Sequence, residues 1–276
     1  KPNDIISTIL LLKSILFWIN FSMAGGAESC ISHDEVTLAL AKIEAAEHFH
    51  GMQELYDEMR LRPLRIKVFP LDHQLPGDSN VKVVHFVRHG QGFHNLMADL
   101  YHGAGRKWTQ YTHSEDNPYI MPEITDAPLT DKGRQQAAAL QETVRGLDDQ
   151  PELVVLSPNC RALQTGVIVF DHLREKNIPF IAHEMVREEN GVHVCDKRRP
   201  VRLSSREFPM VNFSLLEDDE DTIFRDDRRE NKMEIGERIY KFFEFLHTRE
   251  EKHVGVASHS GWLMTVFNGV CECNDQ

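Results

Sequence analysis

At 276 residues, 41% hydrophobic and 27% charged, the chain is long enough for one substantial core and too ordinary in composition to be collagen-like, coiled-coil or wholly disordered. A formal charge of -12 excludes a protein whose main partner is nucleic acid, which needs clustered Lys and Arg against the phosphates, so positive charge serving any anionic ligand must be local. The fifteen His and five Cys (Cys30, Cys160, Cys195, Cys271, Cys273) show neither H-E-x-x-H nor paired C-x-x-C spacing, so no metal or cofactor is expected, and the odd, scattered thiols fit a reducing compartment better than a disulfide framework.

The first element in chain order is an apolar run, Ile5 to Phe21, interrupted by Lys13 and followed by the small residues Ser22, Ala24, Gly25, Gly26 and Ala27. It reads as a signal-peptide core, as a short membrane anchor made costly by Lys13, or as a leader ahead of a start at Met23. Each reading places residues 1–30 outside the fold. The leader reading, which is favoured, gives a cytoplasmic protein; the others give a secreted or membrane-anchored one, with membrane contact only if the segment is retained.

Residues 31–80 are read as an N-terminal helix and linker. Ser32 to Arg60 has a helical apolar pattern, and Pro63, Pro70, Pro76 and Gly77 punctuate a loop after it. The main domain is expected over 81–276.

Within it, Val81 to Arg88, Glu152 to Leu156 and His253 to Ala257 are short, nearly continuous apolar runs, the pattern of parallel strands covered on both faces, and Pro179 to Ala182 is taken as a fourth strand. Helical patterns over Thr130–Leu147, Arg161–Arg174 and Met233–Arg249 alternate with them. The fold class is therefore α/β, a three-layer α/β/α arrangement with a mostly parallel sheet.

Open sheets of this kind bind ligands beyond the carboxyl ends of their strands. The three surest strands end in Arg88-His89-Gly90, in Ser157-Pro158-Asn159-Cys160-Arg161 and in Ser258-His259-Ser260-Gly261. Two histidines and two arginines at one sheet edge suit phosphate, because guanidinium matches phosphate oxygens bidentately and a neutral imidazole is a competent nucleophile toward phosphorus. The chemistry also needs a carboxyl to protonate the leaving oxygen and then activate water. Glu184, Glu188 and Glu189 follow the fourth strand, and the residues alone leave all three open.

Arg88-His89-Gly90, the Ser-Pro-x-x-Arg-x-x-Gln-Thr segment from Ser157 to Thr165 and Ser258-His259-Ser260-Gly261, ordered over about Val81 to Gly269, resemble the three signature segments of the histidine phosphatase superfamily, and more narrowly its phosphoglycerate mutase-like branch. The resemblance implies a phosphoglycerate mutase-like fold with His89 as nucleophile, Arg88 and Arg161 on the phosphoryl oxygens, and His259 completing the pocket. It also implies Asn95 and Ser260 on the substrate-binding side, and a proton donor in Val186-Arg187-Glu188, which favours Glu188. Glycolytic mutases typically carry a Ser and a Trp-Asn pair after R-H-G, where this chain reads Gln91-Gly92-Phe93-His94-Asn95, and the R-H-G-x-R-x-P extension of acid phosphatases is missing too. Relatives usually continue into another strand after the helix that follows His259, so a truncated C-terminal end is one expectation.

The expected activity is therefore hydrolysis of a small phosphomonoester through phosphohistidine on His89. The alternatives are mutase-type phosphoryl transfer and a catalytically silent phospho-ligand or protein-binding module. The expected partner is a small phosphorylated substrate; oligomeric state is not legible. Other charged features have plainer readings. Lys197, Arg198, Arg199, Arg202 and Arg206 either meet a second anionic group or form a solvated loop. Glu217 to Asp221 reads as an exposed turn, Thr130 as a helix N-cap, and His85 as a packed strand residue.

Overall fold

In the computed structural model, residues 6–12, 50–70, 80–106, 108 and 116–273 are described, the first of these segments by its backbone. Three apolar runs set its middle. Strands β3 (Asn80–Arg88), β7 (His253–Ser258) and β4 (Leu153–Leu156) lie side by side and parallel, with Arg88 opposite Ser258 and Leu156 opposite Ala257. Their carboxyl ends stop at one level, so the residues that follow each strand meet at a single edge. β5 (Phe180–Ala182) joins β4 with Leu156 opposite Ala182, bringing the 184–189 segment to the same edge.

Side chains on β4 alternate between two apolar layers. Leu153 and Val155 enter one with Val84, Val254 and Val256; Val154 and Leu156 enter the other with Ala257. Because both faces are covered, both sets are apolar, which is why the strand reads as a continuous run. The first layer is closed by α1 (residues 50–59), α7 (Lys232–Thr248) and α8 (Ser260–Thr265). Ile235, Ile239, Phe242, Phe243 and Leu246 of α7 recur at helical spacing and are fully buried. A capping box starts this helix: Asn231 accepts from the Glu234 N–H at 3.0 Å and the Glu234 carboxylate accepts from the Asn231 N–H at 2.9 Å. The second layer is closed by α3 (Asp131–Ala139), α4 (Gln141–Arg145) and α5 (Cys160–Val169).

The full sheet has eight strands in the order β6-β5-β4-β7-β3-β1-β2-β8. Its outer members revise the expected domain layout. The linker containing Pro63 and Pro70 holds a strand, β2 (Leu64–Pro70), whose Leu64, Ile66 and Val68 are buried at period two. The prolines sit outside or at the end of that strand, where no ladder donor is lost. Met52, Leu55 and Met59 of α1 join the same core, so residues before 81 complete the domain rather than append to it. The apolar N-terminal segment was expected to lie outside the fold, but residues 6–12 form β1, paired in parallel between β2 and β3. The rest of that segment, Cys30, most of the Ser32–Arg60 helix, Pro76 and Gly77 lie outside the described residues. At the far end of the sequence β6 (Val211–Asn212) and β8 (Glu272–Cys273) are short edge strands, β8 beside β2.

Two of the expected helices are interrupted. Thr130–Leu147 divides at Leu140 into α3 and α4, and Arg161–Arg174 is α5 followed by a 3-10 turn, Asp171–Lys176. Thr130 caps α3 as expected, its hydroxyl accepting from the Gly133 N–H at 3.1 Å. Gly133 also lets the chain after the His89 strand end approach closely: a Cβ there would lie 2.2 Å from the Gln91 carbonyl oxygen. Gly133→Ala is expected to destabilise the protein by about 1–3 kcal/mol, because backbone must move to make room. Denaturant titration measures this; an unchanged midpoint contradicts it.

Candidate active site

The strand-end residues line a cavity of about 310 Å³, together with side chains from the 117–119, 188–196 and 229–232 segments. His89 stands at its floor, 5% exposed, with its N–H donated to the Ser258 carbonyl at 3.0 Å. The ring Nδ1 lies 2.7 Å from the Gly90 carbonyl, which can only accept, so the ring proton sits on Nδ1 and Nε2 carries the lone pair. Arg161 Nε donates to that Nε2 at 3.3 Å. Burial, reinforced by the charges of Arg161 and Arg88, pushes the His89 pKa well below 6.5. The result is a neutral imidazole with a directed lone pair.

Four residues of the Ser157–Thr165 segment, Ser157, Arg161, Gln164 and Thr165, tie this arrangement together. The Ser157 hydroxyl meets His259 Nε2 at 2.7 Å, and Gln164 Oε1 accepts from the Leu129 N–H at 2.8 Å. Thr165 Oγ1 accepts from the Gly90 N–H at 3.1 Å and donates to the Arg161 carbonyl at 2.7 Å, tying α5 to the chain just past His89. Arg161, 1% exposed, donates through Nη2 to Asp196 at 2.7 Å and through Nη1 to the Cys195 carbonyl. Burial alone would raise the Asp196 carboxyl, but the guanidiniums of Arg161 and Arg229 outweigh it and hold it below the usual range.

Of the sequence-predicted residues, Arg88, His89, Asn95, Arg161, Glu188 and Ser260 line the cavity. Arg88 is exposed, and its side chain makes no hydrogen bond or ion pair with any described residue. Asn95 Oδ1 accepts from the Gly92 N–H at 3.0 Å at the start of α2 (Phe93–Gly103), leaving its amide NH2 available. His259 is placed differently from the expectation. It is fully buried behind His89, ring centroids 5.0 Å apart, and is not part of the cavity wall; its Nδ1 is buried without a partner.

The three candidate acids are separated by their partners. Both Glu184 oxygens are held, by Arg198 at 2.7 Å and Arg187 at 3.1 Å, away from the cavity. Glu189 lies in the wall, with its oxygens on Lys232 at 2.9 Å and Arg229 at 3.3 Å; burial alone would raise it, but these cations hold it below the usual range. Glu188 caps α8, accepting from the N–H groups of Gly261, Trp262 and Glu189 at 3.0–3.1 Å, with the Ser260 hydroxyl 3.5 Å from Oε2.

The basic run and the acidic stretch answer each other. Arg198 is buried and donates to the Asp218, Asp219 and Glu220 carbonyls, Arg202 pairs with Asp219, and none of the run lines the cavity. Asp221, expected in an exposed turn, is instead buried and holds Arg187 at 2.6 Å. Cross-linked this way, the 184–199 and 217–230 segments hold each other, and Val192 is kept at φ 59, a strained value for a β-branched residue, with its N–H donated to the Arg225 carbonyl at 2.8 Å. Cys160, Cys195 and Cys271 are buried free thiols.

Sequence reasoning missed His94, Tyr119, Asp196, Arg229 and Lys232, all in the cavity wall. His94, one residue before Asn95, is the only one that the R-H-G segment itself could have flagged. Its pKa, like that of His259, is pushed well below 6.5, by burial first and then by Arg161. Burial also lowers His183 to about 4. The unfolded chain binds protons at such histidines as pH falls through about 6.5, whereas the folded chain does not. Stability should therefore fall with pH in that window, by up to about 1.4 kcal/mol per unit for each histidine. Melting temperature should be flat from pH 8 to 7 and drop steeply between 6.5 and 5; a flat profile through that window contradicts the buried neutral histidines.

With this geometry in view, residues 84–274 match the histidine phosphatase superfamily (branch 1), and the chain belongs to that superfamily. Among its relatives, a phosphoglycerate mutase-like protein of Arabidopsis thaliana is 32% identical over 224 residues, covering 70% of this chain and 77% of the relative. Phosphoglycerate mutase-like protein 1 of the same plant is 33% identical over 216 residues, covering 68% and 72%. A probable phosphatase of Schizosaccharomyces pombe is 26% identical over 182 residues, covering 64% and 74%.

Proposed function

We propose that the protein hydrolyses small phosphomonoesters through a phosphohistidine on His89, with Glu188 as general acid and base. The observation that carries the reading is the tautomer lock on His89. With the proton held at Nδ1 by the Gly90 carbonyl, the Nε2 lone pair is available beside Arg161 and the unpaired Arg88. In the first step Nε2 forms a bond to phosphorus while the ester P–O bond breaks, and Glu188 gives its proton to the departing alcohol oxygen. In the second, water attacks phosphorus and gives a proton to Glu188, the N–P bond breaks, and inorganic phosphate leaves with the His89 lone pair restored. Arg88, Arg161 and the Asn95 amide supply positive charge and donors to the phosphoryl oxygens, which is most of what phosphoryl transfer asks of a protein. Glu188 is preferred as the acid because Glu184 is turned away and Glu189 is fixed as a carboxylate by two cations.

Glu188→Gln tests the acid–base role. 4-Nitrophenolate leaves without a proton, so the variant should release a burst of one 4-nitrophenol per site and then stall, while its rate with an alkyl phosphate falls by about 10²–10⁴-fold. Equal loss on both substrates without a burst assigns the proton to another group.

A further inference from the structure

The charges in the cavity wall specify more than a phosphate. Four cations line it, Arg88, Arg161, Arg229 and Lys232. Three of them are already paired: Arg161 with Asp196 at 2.7 Å, Arg229 with Asp196 at 3.0 Å and Glu189 at 3.3 Å, and Lys232 with Glu189 at 2.9 Å. With Glu188 the wall holds three carboxylates against four cations, a net charge of +1, and Arg88 is the one cation that pairs with none of them. A proton on Glu188 raises the total to two, which matches a phosphomonoester dianion and leaves nothing for a second anionic group. The rest of the wall carries no further arginine, lysine or carboxylate. It includes Met264, the neutral ring of His94 and the Tyr119 phenol, whose hydroxyl has no partner among the described residues and whose ring lies 5.8 Å from His94.

We infer that the site selects a phosphomonoester whose alcohol part is uncharged, and that Glu189 and Asp196 enforce this by cancelling Arg229 and Lys232 so that a carboxylate or second phosphate meets no free cation. The inference rests on the phosphomonoester reading of the pocket. Its chemistry is plain: a desolvated carboxylate without a partner is costly, so an ester bearing one is rejected by what it leaves unpaired.

Binding of two phosphonates that differ only in the far end, propylphosphonate and 3-phosphonopropionate, tests it by calorimetry on the full chain at pH 8. The expected result is at least about tenfold tighter binding of propylphosphonate, with Glu189→Gln raising the affinity for 3-phosphonopropionate about tenfold relative to it. Equal or tighter binding of the carboxylate compound by the wild type, binding of neither, or a Glu189→Gln variant that weakens both alike overturns the inference. Turnover of 4-nitrophenyl phosphate, followed separately, reports on the catalytic reading: selective phosphonate binding without turnover would remove the phosphatase and keep the selectivity.

Discussion

His89→Ala is expected to lower phosphomonoester turnover by about 10⁴-fold or more while leaving the protein folded, since loss of a covalent nucleophile removes the reaction path and not merely one contact. Two features make the effect this large. Neither adjoining imidazole is placed to replace it: His259 is fully buried behind it, and His94, also neutral, lies 5.5 Å away by ring centroid. The fold should survive because the His89 side chain makes only two hydrogen bonds, to its own neighbour's carbonyl and from Arg161 Nε, while the strand is held by the β7 ladder and by the backbone bond to Ser258. Steady-state kinetics beside a thermal melt reads both outcomes. A folded variant retaining a tenth of wild-type turnover contradicts the assignment.

Arg161→Ala should strike rate and stability together. Arg161 is the cation against the nucleophile's Nε2, and loss of one such preorganised donor costs about 10²–10³-fold in rate. Asp196 is 4% exposed and would keep only Arg229, so removing Arg161 from this buried pair is expected to cost about 3 kcal/mol. The double variant Arg161→Ala with Asp196→Asn separates the two effects, because removing the stranded charge should recover part of the stability and none of the rate. Additive stability losses would mean that the pair is not coupled.

How much of this was legible in the sequence depends on whether the signal was local. β3, β4 and β7 were plain because a parallel strand covered on both faces is a short apolar run, and their ends placed Arg88, His89, Arg161 and His259 at one edge. β2 was hidden by Pro63 and Pro70, although Leu64, Ile66 and Val68 keep the period of a half-covered strand. β1 was read as a processing segment because a largely apolar strand and a signal core share a composition. The Leu140 break is a feature of packing, with the helical pattern running through it.

The missed site residues share a different cause. Asp196 and Arg229 come from short or irregular segments, and Lys232 opens α7 directly after one; the positions of these segments are set by ion pairs between residues far apart in sequence, such as Arg187 with Asp221, Arg198 with Glu184 and Arg229 with Asp196. Neither periodicity nor a short motif encodes such pairing. One signal was present: a basic run at 197–206 and an acidic stretch at 217–221 of opposite sign, which turn out to bind each other through Arg198 and Arg202 and so form the scaffold of the cavity wall. The same closeness of partners is what supports proposing Glu188 over Glu184 and Glu189, a preference that their neighbouring positions could not supply.

The central claim is that phosphate passes through a covalent bond to His89 Nε2. Mixing the full chain with 4-nitrophenyl phosphate, quenching in alkali within the burst and mapping the phosphorylated peptide by mass spectrometry tests it directly, since phosphohistidine is stable to base and labile to acid. The account predicts an acid-labile phosphate on the peptide containing His89, absent in His89→Ala. Steady turnover with no phosphate on that peptide at any quench time, or with phosphate on another residue, would contradict it.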